Sequence, residues 1–169
     1  MIASLLPDRC HVLSKVVPFE SLRLDNQLCF ALYAATRAIT RTYREGLEPI
    51  GLTYPKYLVL LVLWQSDGAR VSEIGNRLML NSGTISPVVK RLEAEGIVER
   101  KRCRKDEREV EVWLTPKGSD LRESVERARD HVVCQLKMSE PEILALRNEL
   151  MEPIERLNKE SYTEKEACS

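Results

Sequence analysis

The sequence predicts a mainly α chain with one small β-wing, a winged helix-turn-helix, and three observations carry that prediction. Apolar residues recur at helical spacing in six stretches between Ser21 and Glu160. After Gly96 the period switches, and Val110-Glu111-Val112-Trp113-Leu114-Thr115 alternates as a strand does. Between the flanking runs, Arg100-Lys101-Arg102-Cys103-Arg104-Lys105 places five cations in six residues.

At 169 residues, 43% hydrophobic and 31% charged, the chain is long enough for one compact domain with a real core. Lys plus Arg equals Asp plus Glu at 26 each, so net charge points to no partner, and a local basic patch is what binds phosphate. The longest apolar run, Tyr57 to Trp64, is eight residues, far short of the roughly 20 that span a bilayer. Met1 to Leu6 lacks a basic start and an extended apolar stretch, so no secretory signal is read. Five cysteines at wide spacings fit a reducing compartment, and the cytoplasm is expected.

Each element follows in order. Residues 1–20, with Pro7 and Pro18 and no clear period, read as an N-terminal arm. From Ser21 to about Arg44 no Gly or Pro intervenes, and Leu28, Leu32, Ile39 and Tyr43 fall on one helical face, with a stop near Gly46 and Pro49. Thr53, before Tyr54-Pro55, is the expected N-cap of a second helix, apolar all round and therefore buried, that ends near Asp67-Gly68. Val71 to Leu80 is a short helix. Asn81-Ser82-Gly83 breaks it, and Thr84 to Glu95 restarts with Ile85, Val88, Val89 and Leu92 inward and Gly96 as C-cap glycine. Ile97 to Arg100 and Val110 to Thr115 read as a two-stranded ribbon with cations at its tip. Pro116 opens a helix to about Leu136. Ser139 starts a last one to about Glu160, and 161–169 is expected as a C-terminal tail, frayed from Thr163 to Ser169.

Two short helices joined by a tight turn and followed by a basic ribbon suit duplex DNA: the second helix fits the major groove while the ribbon tip reaches the backbone or minor groove. Ser82, Thr84, Ser86, Pro87, Lys90 and Arg91 would face the groove. Arg104, Lys105, Asp106 and Arg108 would form the wing tip, with Arg108 suited to a narrow minor groove. The bland alternative is a solvated charge run beside helices that merely pack.

Leu78 through Thr115, with Ser82-Gly83-Thr84, Leu92-Glu93-Ala94-Glu95-Gly96-Ile97-Val98 and Asp106-Glu107-Arg108…Leu114-Thr115, resembles the winged-helix core of MarR-type transcription regulators. The similarity runs from position 22 to 160. It implies a homodimer held by the terminal helices (about 21–46 and 116–160), with the winged helix at about 53–115. Two such domains would grip a pseudo-palindromic double-stranded operator, recognition helices about 34 Å apart. Gln27-Leu28-Cys29-Phe30-Ala31-Leu32-Tyr33, Tyr43 and Thr53-Tyr54-Pro55-Lys56-Tyr57 are similar to the organic hydroperoxide resistance regulators, two-cysteine subtype. That resemblance implies a repressor whose sensor is Cys29, with Tyr43 and Tyr54 hydrogen-bonding its sulfur and Cys134 resolving the oxidised thiol as a disulfide. The oxidant is an organic hydroperoxide, and no cofactor is expected.

Physical chemistry adds constraints. The thiolate is the nucleophile, and donors aimed at sulfur favour it. Leu28, Phe30 and Leu32 would wall the thiol for alkyl peroxides. Cys29 and Tyr43 lie 14 residues apart on one helix, about 21 Å at 1.5 Å per residue, so a Cys29–Tyr43 pair needs two subunits. Alternatives stay open: an inert core role for Cys29, a buried structural role for Cys134, and packing roles for Tyr33 and Tyr57. His131-x-x-Cys134 is a poor zinc site in a chain with two histidines. Cys10, Cys103 and Cys168 match nothing in the pattern, although Cys103 lies among the cations. Rival functions are release by a small phenolic ligand, a thiol peroxidase, and an adaptor that never touches DNA.

Overall fold

The computed structural model describes residues 20–103 and 109–167, with side chains to 158. Among the described residues, six α-helices and three strands follow in chain order: α1 (Leu28–Leu47), α2 (Tyr54–Leu63), β1 (Ala69–Arg70), α3 (Val71–Leu78), α4 (Ser82–Ala94), β2 (Val98–Arg102), β3 (Val110–Leu114), α5 (Pro116–Leu136) and α6 (Glu140–Ala167). The chain divides between Thr42 and Tyr43 into two units.

In the first unit, helix α1 begins seven residues later than its apolar period suggests. Residues 20–27 instead hold two 3₁₀ turns, Glu20–Leu22 and Leu24–Asn26. Side-chain amides explain the delay: Asn26 Nδ2 donates to the Glu20 carbonyl at 2.8 Å, and Gln27 Nε2 to those of Ser21 and Arg23 at 2.5 and 3.0 Å. Carbonyls that an α-helix would use are thereby taken locally.

In the second unit, α2 is packed on nearly every side, as its composition requires, with Val59, Leu60 and Leu63 at most 1% exposed. Thr53 holds the N-cap position in extended conformation, yet its side chain makes no capping bond. Helix α4 starts at Ser82, two residues before Thr84. Asn81, expected as part of a break, is its cap, and its Oδ1 accepts from the Thr84 N–H at 2.9 Å. Ile85, Val89 and Leu92 are buried, while Val88 is half-buried. Gly96 (φ +70) ends α4 in a Schellman motif, with Gly96 N–H bonded to Glu93 O and Ile97 N–H to Leu92 O, both at 2.9 Å.

The ribbon has a third member. β2 and β3 pair antiparallel from Val98↔Leu114 to Arg102↔Val110, and the two-residue β1 joins β3 through Ala69↔Val112, giving the order β1-β3-β2. Two residues carry no period, so only this non-local pairing makes β1 a strand. α5 matches its expected span. α6 runs to Ala167, so 161–167 continue a helix where a frayed tail was expected; nothing after Pro153 in that stretch is a Gly or Pro that would stop it.

Candidate nucleic-acid interface and thiol site

The turn between α3 and α4 is built by backbone chemistry. Met79 closes α3 in the left-handed region (φ 56), with Leu80 N–H bonded to Gly75 O at 2.9 Å and Met79 N–H to Asn76 O at 3.1 Å. A Cβ on Gly75 would stand 2.7 Å from the Leu80 carbonyl, so glycine is what lets the turn close. From this turn α4 presents Ser82, Thr84, Pro87, Lys90 and Arg91 to solvent, with Ser86 half-exposed. Thr84 Oγ1 donates to Asn81 Oδ1 at 2.9 Å and Ser86 Oγ to the Ser82 carbonyl at 2.7 Å. Both hydroxyls therefore present lone pairs outward, as acceptors. Ser82, Ser86 and Lys90 line one side of a cleft of about 350 Å³, and Arg100, Glu109 and Val110 of the ribbon line the other.

The cation cluster is less uniform than its composition. Arg100 is committed to Glu93, with Nε and Nη2 at 2.7 and 2.6 Å from Oε2, and this hydrogen bond holds the Glu93 carboxyl below the usual carboxylate range. Lys101 lies 3.3 Å from Glu99 and 5.7 Å above the Trp113 ring. Arg102 is exposed. Arg104, Lys105, Asp106 and Arg108 lie outside the described residues. Glu109, absent from the sequence reading, puts a carboxylate in the cleft and accepts from Ser72 Oγ at 3.0 Å. Its backbone carbonyl accepts from the Cys103 N–H at 3.0 Å. Cys103 is 3% exposed, so it is a core thiol despite its basic neighbours.

The thiols differ. Cys29, second residue of α1, is exposed, as are Leu28 (65%), Phe30 (38%) and Leu32 (39%). The apolar walls expected around this sulfur therefore stay open in a single chain. Cys134, near the end of α5, is also exposed in the single chain. Cys10 and Cys168 lie outside the described residues. The Tyr33 hydroxyl accepts from Arg37 Nη1 at 2.7 Å. His131 faces Glu45 at 3.8 Å, and among the described residues no cluster of three or more His, Cys, Asp or Glu is placed to hold a metal.

In the second unit three phenols form one cluster. The Tyr43, Tyr54 and Tyr57 rings pack pairwise with centroids 5.1–5.7 Å apart, and Tyr57 Oη donates to Tyr43 Oη at 3.4 Å. Burial, and then the neighbouring Tyr43, push the Tyr54 phenol above its ordinary value. Burial, and then the bond to Tyr43, do the same to Tyr57. These two stay neutral donors at physiological pH. Tyr57 was expected to pack; its hydroxyl is the link the sequence hid, because Tyr43, in the last turns of α1, meets α2 only through the fold.

The MarR family model matches residues 52–110, from just before α2 to the first residue of β3. The organic hydroperoxide resistance transcriptional regulator of Bacillus subtilis is 37% identical over 143 residues, 85% of this chain and 97% of that one. The chain belongs to the MarR family. The regulator TtmR of Methylorubrum extorquens is 54% identical over 114 residues, covering 68% of this chain and 58% of TtmR. Among solved structures, reduced AbfR bound to DNA is 36% identical, covering 82% of this chain and 96% of that one at a TM-score of 0.69. AbfR with its disulfide formed is 36% identical over 80% and 95%, at 0.59. This MarR-family chain is accordingly a DNA-binding transcriptional regulator and not an enzyme. No described helix is long and apolar enough to cross a membrane.

Proposed function

We propose that this regulator is a homodimeric, cytoplasmic repressor that senses organic hydroperoxides through Cys29 and leaves a pseudo-palindromic operator when oxidised. The observation that supports this reading is that the chain carries an exposed thiol, set among exposed Leu28, Phe30 and Leu32, and in its second unit a cluster of three phenols. Those apolar residues need a cover, and in a dimer the second subunit supplies it, so α1 and the helices after residue 116 are read as the dimerisation helices. The second subunit's Tyr43 and Tyr54 then donate to the Cys29 sulfur, stabilising its thiolate.

The chemistry balances. The thiolate attacks the peroxide O–O bond, giving a sulfenic acid at Cys29 and releasing the alcohol. The Cys134 thiol then condenses with it, forming the disulfide and water. The two Cα atoms must come within about 7 Å. The helix movement this requires takes the two α4 helices, with Ser82, Thr84, Ser86, Pro87, Lys90 and Arg91, and the wing tips, with Arg104, Lys105, Asp106 and Arg108, out of register. Losing register forfeits much of the roughly 4 to 10 kcal/mol that separates specific from non-specific binding. The names of the Bacillus relative and of disulfide-formed AbfR support the same reading.

A second reading, release by a small phenolic ligand, is favoured by a cleft of about 190 Å³ lined by Tyr57, Leu61, Trp64, Arg122 and Arg129. One titration separates them. The protein binds a duplex selected from a random-sequence pool, before and after stoichiometric cumene hydroperoxide, as wild type, Cys29→Ser and Cys134→Ser. Redox sensing predicts release of wild type only, with Cys29→Ser immune. Release of Cys29→Ser by a phenol, with no response of wild type to peroxide, establishes the second reading instead.

A further inference from the structure

Lys56 is the one charged residue buried among the described residues, at 8% exposure. A buried ammonium is retained only where its three donors are met. Here all three are: Nζ lies 2.5 and 2.7 Å from the two Glu95 carboxylate oxygens and 3.3 Å from the Gly51 carbonyl. The partners come from different elements. Lys56 sits in the first turn of α2, between Tyr54 and Tyr57, whereas Glu95 is the C-cap of α4. The Glu95 carbonyl also accepts from Lys117 Nζ at 2.8 Å, at the start of α5. One acidic residue thus joins the beginning of the tyrosine helix, the end of the DNA-facing helix and the beginning of the helix that carries Cys134.

We infer that Lys56 and Glu95 are positioning residues for α4: their ion pair is the strut through which the tyrosine-bearing turn of α2 sets the angle of the DNA-facing helix. An ordinary packing contact can slip when α2 moves. A two-pronged pair at 2.5 and 2.7 Å with one member buried resists slipping, because separation strands an ammonium without its carboxylate. Whatever displaces Tyr54 and Tyr57 therefore displaces the C-terminal end of α4. The strut rests on the proposed redox reading for its input, but its grip on α4 is independent of the signal.

The test uses the full chain as wild type, Lys56→Met, Glu95→Gln and the double variant. Glu95→Gln changes a side chain that is 40% exposed and keeps the shape, so it guards against a folding failure of Lys56→Met. Binding to the selected duplex is measured reduced and after cumene hydroperoxide, with Cys29 oxidation followed by mass spectrometry and folding by thermal melting. The expected result is oxidation of Cys29 to the wild-type extent, with the ratio of oxidised to reduced Kd falling about tenfold towards one in either single variant and no further in the double. A ratio equal to wild type in folded variants overturns the strut. If wild type itself shows no peroxide-dependent release, the redox reading has failed. The strut is then decided by reduced binding: about tenfold weaker affinity in both single variants supports it, and unchanged affinity overturns it.

Discussion

Tyr57 Oη donates to Tyr43 Oη across 3.4 Å, so the half-buried phenol expected to serve a thiol is itself held by a buried one. Replacing Tyr57 by Phe removes that donor and nothing else. The expected cost is about 0.5–1.5 kcal/mol of stability, seen in denaturant melts. The rate of Cys29 oxidation by cumene hydroperoxide should also fall, since Tyr43 loses its restraint. An unchanged rate would show that Tyr43 is fixed by ring packing alone.

The same phenols set an alkaline limit. Tyr54 and Tyr57 hold their protons more tightly folded than unfolded, chiefly through burial. Their contribution is therefore complete below the unfolded value of about 10 and is lost as pH rises from there through the folded values. Melting temperature should be insensitive to these groups at neutral pH and drop above about pH 10, less steeply in Tyr57→Phe than in wild type. An equal alkaline drop in both would exclude Tyr57 as a cause.

Asn81 caps α4 with one oxygen that accepts from both the N–H and the hydroxyl of Thr84, at 2.9 Å each. Asn81→Ala should cost about 1 kcal/mol in stability. It should also weaken duplex binding, because the frayed turn carries Ser82 and Thr84. Asn81→Ser should restore most of both.

Much of this was legible in the chain before folding. Thr53-Tyr54-Pro55, Gly96 and Pro116 are local signals, and the elements they bound lie where those signals put them. What escaped notice is non-local. β1 exists only because Ala69 meets Val112, the Lys56–Glu95 pair spans 39 positions, and Tyr57 acquires its role only when α2 meets the end of α1. The start of α1 escaped for another reason: Asn26 and Gln27 amides outbid the helical ladder, a competition that apolar spacing does not register. Cys29 was legible as a residue, whereas the exposure of its neighbours Leu28, Phe30 and Leu32 came only from the fold.

Lys90 and Arg100 line the same cleft but should behave differently. Lys90 is exposed on α4, so Lys90→Ala should weaken binding to all duplexes alike and lower the slope of log affinity against log salt by about one. Arg100 is already paired with Glu93. Arg100→Ala should leave the slope unchanged and cost about 0.5 kcal/mol of stability, its partial exposure keeping the figure low. Titrations at several salt concentrations decide both, and a reduced slope for Arg100→Ala would mean that it leaves Glu93 for phosphate.

Gly118 tests how tightly the wing is bolted to α5. A Cβ there would stand 2.2 Å from the Ile97 carbonyl oxygen and 3.2 Å from Leu114 Cδ2. Neither side can yield cheaply. The Ile97 carbonyl is held by the Thr115 N–H at 3.1 Å and Oγ1 at 3.0 Å, while the Gly118 carbonyl accepts from Trp64 Nε1 at 3.1 Å. Gly118→Ala therefore gains helix propensity in α5 yet should still lose about 1–3 kcal/mol from the clash. At about 2–4 °C per kcal/mol, a melting scan resolves that loss. Because the strain falls where β2 begins, binding to the selected duplex should weaken as well. A stabilised Gly118→Ala protein would mean that the α5 start and the ribbon base move apart freely, and the wing would then not take its position from α5.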